Sequence, residues 1–171
     1  MITSKHCEKK AHKAISRLIR DGQSTIYTDS CFSLSFILRH EKEFKSNNQK
    51  IEVIKSVQKE LKRKTRQTWA RKKWECMEKR DTIFHLRSAS KPERDMLYQK
   101  HEKVYADEAF RRIFKVREAE SQVLLTADFE LAETLANSNK APTIIFEYQE
   151  GRTRHIALWE DYRTLHRRQQ K

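Results

Sequence analysis

The chain has few residues that break regular structure: two glycines and two prolines among 171 residues. We therefore expect short loops and a large share of helix. Cysteine is also scarce, and Cys7, Cys31 and Cys76 are too widely spaced and too few to indicate a disulfide framework or a zinc site. No apolar run approaches the roughly 18 residues that a membrane-spanning helix needs.

Residues 1–10 are polar and lack the apolar segment of a signal peptide. With neither signal nor anchor, the default expectation is a cytoplasmic protein without membrane association. The seven histidines are scattered along the chain, and no close pair suggests a metal site. We interpret them as isolated surface or core residues.

Acidic residues are too few to balance the basic ones, and the net charge is +13. The usual counterpart of so much positive charge is a polyanion, and nucleic acid is the leading candidate. An acidic membrane surface or an acidic partner protein would also explain it. The length suits a single domain, 1–171, and the 37% of hydrophobic residues suffices for one core.

Apolar periodicity predicts helices that alternate with short β-prone runs. The predicted helices cover 9–20, 31–44, 56–61 and beyond, 104–118, and 129–136. The predicted strands cover 25–28, 50–54, 123–126 and 143–148, whereas 154–159 fits either a strand or the start of a helix. Strands separated by helices indicate an α/β fold with a mainly parallel central sheet and helices on both faces.

The segment 62–80 is strongly basic, with nine Lys or Arg residues against Glu75 and Glu78. Tryptophans are interleaved with the charges, and we predict a protruding helix or helical hairpin. Its candidate nucleic-acid-binding residues are Lys62, Arg63, Lys64, Arg66, Trp69, Arg71, Lys72, Lys73 and Trp74. The basic residues would bind phosphate, and Trp69 or Trp74 would stack on an unpaired base or pack the segment against the body.

Two predicted strands end in an acid, Asp29 after the first and Asp128 after the third. The carboxyl ends of parallel strands form the ligand-binding edge of a sheet, so these carboxylates could converge. Glu60 and Asp107 lie beside apolar helix stripes, where an unpaired carboxylate is costly. A divalent cation would relieve both the cost and the repulsion. Alternatively, each Asp caps a helix and Glu60 pairs with Lys64.

Four segments, in this order, resemble the acidic motifs of PIN-domain nucleases. They are Ile26–Ser30, Val57–Lys62, Ala106–Ala109 and Leu124–Leu131. Ala127 stands where the family commonly has Asn. The resemblance spans about residues 24–148. Compared with a minimal member of the family, the chain has an additional N-terminal helical extension (1–22), a basic helical arm (62–103) and a basic tail (160–171).

The resemblance implies a PIN-like three-layer fold and hydrolysis of phosphodiester bonds, most often in RNA. Mg²⁺ or Mn²⁺ would be held by Asp29 and Asp128, with Glu60 and Asp107 completing the site. Ser30 or Thr126 would orient a metal-bound water. Three alternatives stay open: a DNA or flap nuclease, a non-catalytic PIN-like nucleic-acid-binding module, and a toxin ribonuclease with an inhibitory partner protein. A homodimer is also compatible with the family.

Overall fold

The structure is a computed structural model that describes residues 2–97, 106–116 and 121–169. Fifteen helices and strands fall within these ranges. In chain order they are α1 (Ser4–Asp21), β1 (Ser24–Thr28), α2 (Leu34–Arg39), α3 (Glu41–Ser46), β2 (Ile51–Val53), α4 (Lys55–Arg63), α5 (Thr68–Lys79), β3 (Phe84–Leu86), α6 (Lys91–Leu97), α7 (Ala106–Val116), β4 (Ser121–Thr126), α8 (Phe129–Ala136), β5 (Thr143–Glu150), β6 (Thr153–Leu158) and α9 (Trp159–Gln169).

The six strands form one sheet in the order β3-β2-β1-β4-β5-β6. The first five run parallel, and β6 pairs antiparallel with β5. The chain first builds outward from β1 to β2 and β3 and then continues on the other side of β1 with β4. The strand order therefore reverses between β1 and β4, and the carboxyl ends of those strands form the topological switch point at which open α/β sheets bind ligands. The predicted α/β fold with a mainly parallel sheet is confirmed.

Helix α1 shows how local sequence produces these elements. Thr3 accepts a hydrogen bond from the backbone N–H of His6 and caps the first turn, whereas Gly22 ends the helix with a left-handed φ of 64°. The apolar residues between them recur at helical spacing and are buried against the rest of the chain. These are Cys7, Ala11, Ile15 and Ile19.

Helix α7 packs on β1 through aromatic rings. Tyr27 on β1 meets Phe114 edge to face at a centroid distance of 5.3 Å and Phe110 at 6.2 Å. All three rings are fully or almost fully buried, so this contact fixes the helix that carries Asp107 against the central strand. The predicted ends 104–105 and 117–118 of this helix lie outside the described residues.

The basic arm predicted for 62–103 is corrected by the structure. Residues 84–86 form β3 and pair with β2 inside the sheet, and α5 buries Ala70, Lys73 and Met77. The segment therefore belongs to the body of the domain, because its apolar residues find partners there. Residues 98–103 of the predicted arm lie outside the described ranges.

Three smaller predictions are also refined. The helix predicted for 31–44 is two short helices, α2 and α3, that meet at His40. Ser56 does not cap α4, because Ile54 stands at the cap position and the Ser56 hydroxyl instead donates to Glu93. The ambiguous run 154–159 is mostly β6, and the tail from residue 160 continues as helix α9.

The interpretation of the histidines as isolated residues is wrong for two of them. His12 Nδ1 lies 2.7 Å from His40 Nε2, and His40 Nδ1 lies 2.9 Å from a carboxylate oxygen of Glu43. Ser16 also donates to Glu43, at 2.9 Å. These four residues, the histidine cluster, join α1 to the α2–α3 segment across 28 residues of sequence, which no local spacing could indicate. None of the described helices is both long and apolar enough to cross a membrane.

Candidate functional site

Asp29 lies at the carboxyl end of β1, next to the switch point. Its backbone N–H donates to Leu125 O of β4 at 2.8 Å, which extends the pairing of the two strands by one residue. Its side chain is only 5% exposed. One carboxylate oxygen accepts from the Ser30 N–H at 2.8 Å and the other from the Thr126 hydroxyl at 2.9 Å. The carboxylate is therefore held in one orientation from two neighbouring strand ends.

Ser30 connects Asp29 to Glu60. Its hydroxyl donates to Glu60 Oε1 at 2.9 Å, so this one residue is hydrogen-bonded to both predicted acids. The same Glu60 oxygen pairs at 3.1 Å with Nζ of Lys64, the residue that caps the carboxyl end of α4. The metal-site prediction and its alternative therefore each describe part of the geometry: Glu60 approaches Asp29, and it also forms the i,i+4 ion pair.

Thr126 connects Asp29 to Asp128. The Asp128 backbone N–H donates to the Thr126 hydroxyl oxygen at 3.0 Å, while that hydroxyl donates to Asp29. The Asp128 carboxylate accepts from the Leu131 N–H at 3.0 Å and caps α8. Capping uses one oxygen, Oδ1, of this half-buried carboxylate, and the cap leaves the second oxygen unused.

Asp107 is half-buried in the first turn of α7. No hydrogen bond or ion pair links it to Asp29, Glu60 or Asp128 within the described ranges. Across residues 2–97, 106–116 and 121–169, no group of three His, Cys, Asp or Glu side chains has the arrangement of a metal site. Within the described ranges, Ser30 and Thr126 thus link three of the four predicted acids, Asp128 through its backbone N–H, and Asp107 is not linked to them.

Lys73 was predicted to bind phosphate, and the structure corrects this prediction. The side chain is 4% exposed, and its ammonium group donates to the backbone oxygens of Asp29, Ser30 and Phe32. All three donors of the ammonium group are satisfied by the loop after β1. Lys73 is therefore unavailable to an RNA phosphate and instead fixes the main chain that carries Asp29 and Ser30.

Glu147 is an acid that the sequence reasoning missed. It follows the last parallel pair between β4 and β5, Thr126 with Phe146, and so lies at the same edge as Asp29. One of its oxygens accepts from the Ser33 N–H at 2.6 Å, and the other lies 3.5 Å from Arg154 Nη1. Glu147 thus holds Ser33, at the far end of the same loop whose earlier residues Lys73 holds.

Burial sets the electrostatics of this edge. Burial raises the pKa of Asp29, against the lowering effect of the Ser30 N–H and the Thr126 hydroxyl, and nearby Glu60 raises it further. Burial likewise raises the pKa of Glu147. Burial lowers the pKa of Lys73 to about 8, although the neighbouring carboxylates favour its charged form. Perturbed groups gathered at a ligand-binding edge are typical of functional sites. We refer to Asp29, Ser30, Glu60, Lys73, Thr126, Asp128 and Glu147 as the edge cluster.

Most of the other predicted nucleic-acid-binding residues are accessible. Trp69 is exposed, and Lys64 and Trp74 are half-buried. The Lys62 ammonium lies 4.7 Å from the centre of the Trp74 ring, so this tryptophan is covered by a cation. The exposed basic residues are Lys62, Arg63, Arg66, Arg71 and Lys72.

Lys73, whose role was predicted wrongly, and Glu147, which was missed, both carry a sequence signal. Lys73 occurs with Ala70 and Met77 at helical spacing, so it lies on the apolar stripe of α5. Glu147 interrupts the apolar run of β5, all of which is buried from Ile144 to Tyr148. A charged residue within an apolar pattern is costly unless it has a partner, and each of these has one.

No family model, curated protein or solved structure matches the chain. The chemistry of its own residues therefore carries the functional argument.

Proposed function

We propose that this chain is a nuclease that hydrolyses phosphodiester bonds in RNA with Mg²⁺ or Mn²⁺, and that its α/β sheet belongs to a PIN-like three-layer fold. One observation carries the proposal: Asp29, Glu60 and Asp128, far apart in sequence, are joined through Ser30 and Thr126 at the switch point of the sheet. The net charge of +13 supports a polyanionic substrate.

The donor set suits a hard divalent cation, since the available ligands are carboxylate and hydroxyl oxygens. Asp29 and Asp128 would bind it, with Glu60 completing the site directly or through water. Asp107 retains the role that the resemblance implies for it. When bound, the cation supplies positive charge to the phosphate and lowers the pKa of a water molecule.

The chain's own residues act on this site in three ways. The Ser30 and Thr126 hydroxyls fix the carboxylates of Glu60 and Asp29. Lys73 fixes the backbone from Asp29 to Phe32. Preorganised groups of this kind lower the reorganisation needed during reaction. The exposed basic residues would hold RNA through its phosphates, independently of base sequence.

The test is incubation of purified protein with mixed RNA, with and without Mn²⁺, followed by mapping of the cut ends. Asp29→Asn and Asp128→Asn should each reduce metal-dependent cleavage at least a hundredfold. Asp81→Asn is the matched control, because Asp81 is exposed and precedes β3 at the opposite edge of the sheet. Parental cleavage rates in both site variants would refute the proposal, and matched DNA substrates would identify a DNA or flap nuclease.

A non-catalytic nucleic-acid-binding module is the second candidate. The observations that favour it are the ion pair between Glu60 and Lys64 and the ammonium group of Lys73 beside Asp29, because both reduce the negative charge available to a cation. Thermal melting with added Mg²⁺ or Mn²⁺ separates the two candidates. A real metal site raises the melting temperature of the parent but not of Asp29→Asn, whereas equal shifts favour the non-catalytic module.

A further inference from the structure

Large apolar side chains are rarely exposed in this protein. Within the described ranges, only Ile2, Trp69 and Phe129 are exposed, at 43%, 43% and 41%. Ile2 precedes α1, an element that contributes nothing to the edge cluster. The other two are aromatic, and both adjoin the edge cluster.

Trp69 adjoins the cluster through Lys64. The Lys64 ammonium lies 3.1 Å from Glu60 Oε1 and 5.8 Å from the centre of the Trp69 ring. The Trp69 indole N–H donates to the Gln67 side chain at 2.6 Å, which orients the ring at the start of α5. Trp69 is therefore an oriented aromatic ring, and only Lys64 links it to Glu60, a predicted metal ligand.

Phe129 adjoins the cluster directly, since it follows Asp128 and begins α8. Its ring packs against Trp159 at a centroid distance of 5.5 Å, and against Tyr162 and Phe146 at 6.3 and 6.4 Å. Three aromatic rings pack against Phe129, and part of the residue stays exposed to solvent. Phe129 is thus a rigid surface that is ready to accept another planar group.

The two rings are reached from the two strands that flank β1 in the sheet. Glu60, which leads to Trp69, lies on α4 after β2, and Phe129 follows β4. Strand β1 pairs with β2 on one side and with β4 on the other. A hydrogen-bonded path from Glu60 through Ser30, Asp29 and Thr126 to Asp128 connects the two sides.

We propose that Trp69 and Phe129 are base-stacking residues that hold an unpaired stretch of RNA across the edge cluster, with one base on each ring. The inference rests on the proposed function for the reaction at Asp29, but the binding it describes needs no reaction. Stacking on both rings requires bases that are free of a duplex. The protein therefore selects single-stranded segments through these two residues.

Nucleobases fit these rings better than a protein partner does. A protein interface needs a contiguous apolar patch of several hundred Å², whereas Trp69 and Phe129 are single rings that adjoin the edge cluster at different residues. Exposed Arg66 and Arg71 adjoin Trp69 in the sequence and supply positive charge for the phosphates. A ring flanked by basic side chains can bind a base together with its phosphates.

The test measures fluorescence anisotropy in EDTA, so that no metal-dependent cleavage occurs. The probes are labelled oligouridine of about 12 nucleotides, an RNA duplex, and an abasic phosphodiester strand of equal length. Parent protein should bind oligouridine at least tenfold more tightly than the abasic strand. Trp69→Ala and Phe129→Ala should each weaken oligouridine binding by about 5- to 150-fold and leave the abasic strand and the salt dependence unchanged.

Ile2→Ala is the matched control, because it also removes an exposed apolar side chain and should bind like the parent. Trp69→Phe and Phe129→Tyr keep a stacking ring and should restore most of the affinity. Equal affinity for oligouridine and the abasic strand, parental binding by both alanine variants, or no binding at all would overturn the inference. Intact stacking effects without any Mn²⁺-dependent cleavage would refute the proposed nuclease alone, whereas cleavage with parental binding in both alanine variants would refute the stacking alone.

Discussion

The edge cluster and the histidine cluster are both polar groups assembled from distant parts of the chain, yet they differ in what they leave unsatisfied. In the histidine cluster, Glu43 can only accept, so His40 Nδ1 carries the proton toward it. With both rings neutral, His12 Nδ1 then donates to His40 Nε2, and His12 Nε2 accepts from Arg39 at 3.3 Å. Along this row of hydrogen bonds, from Arg39 to Glu43, every donor meets an acceptor.

In the edge cluster, the internal hydrogen bonds do not match all of the carboxylate oxygens and their charge. Asp29 is buried with a raised pKa, and Asp128 keeps a carboxylate oxygen that the helix cap does not use. It also lies at the carboxyl edge of the sheet, where strand ends leave room for a ligand. The histidine cluster is packed between α1 and the α2–α3 segment instead. A polar cluster whose donors and acceptors match therefore joins elements, whereas an unmatched one at a switch point is suited to bind a ligand.

Replacing Lys73 by Met gives the largest expected change in stability, because three backbone oxygens lose their donor in a buried loop. We expect the free energy of unfolding to fall by about 2–4 kcal/mol in urea denaturation. Lys72→Met is the matched control on the exposed side of α5 and should stay within about 0.5 kcal/mol of the parent. Equal stability of the two variants would mean that the loop does not depend on Lys73.

Replacing His12 by Phe tests the histidine cluster through its pH dependence. Burial, with His40 and Arg39 adding to it, lowers the pKa of His12 to about 4. The unfolded chain therefore binds a proton first, and the parent loses stability as the pH falls from about 6.5 to about 4. For this partly exposed ring we expect about 1–2 kcal/mol after allowance for solvent screening.

Phe keeps the stacking on Phe36, whose ring centroid lies 4.5 Å from that of His12, and it removes the titration. The free energy of unfolding of His12→Phe should thus be flatter between pH 7 and 4 than that of the parent. His6→Phe, at the exposed start of α1, is the control that keeps the parental slope. If both variants keep the parental slope, His12 does not cause the pH dependence of stability.

Replacing Asp29 by Asn gives the smallest expected change and one of opposite sign. The folded pKa of Asp29 is raised mainly by burial, so its stabilising contribution is complete below the unfolded pKa and is lost as the pH rises through the folded value. Asn does not ionise. At pH 7 we expect Asp29→Asn to be more stable than the parent by about 0.5–1 kcal/mol.

That advantage should disappear as the pH falls below the unfolded pKa of Asp, about 3.9. Thermal melting across the acid range measures it. A destabilised Asp29→Asn variant at neutral pH would mean that Asp29 is a structural residue like Glu43, and the contrast between the two clusters would be lost.

The sequence alone predicted the parallel α/β sheet, because buried strands and amphipathic helices each have a period that is set by local geometry. Strand β1 and helix α8 were predicted with nearly their observed bounds, and the acid after β4 was recognised from its position at a strand end. The approach of Asp29 and Asp128 was predicted from the parallel order of the strands, whereas Glu60 was singled out from its place beside an apolar helix stripe and from the resemblance. Their function as metal ligands stays a prediction, as do the role of Asp107 and the nuclease activity.

Only the tertiary structure decided where charged residues inside apolar patterns would point. Lys73 resembled its exposed neighbours in composition, and the carbonyl oxygens that hold it belong to a loop more than 40 residues earlier. His12 and His40 were likewise paired by packing between helices. Local sequence determines which elements form, because their periods are short. Which buried charge finds which partner depends on packing between distant segments, because the free energy of burying a polar group is set by the atoms that surround it.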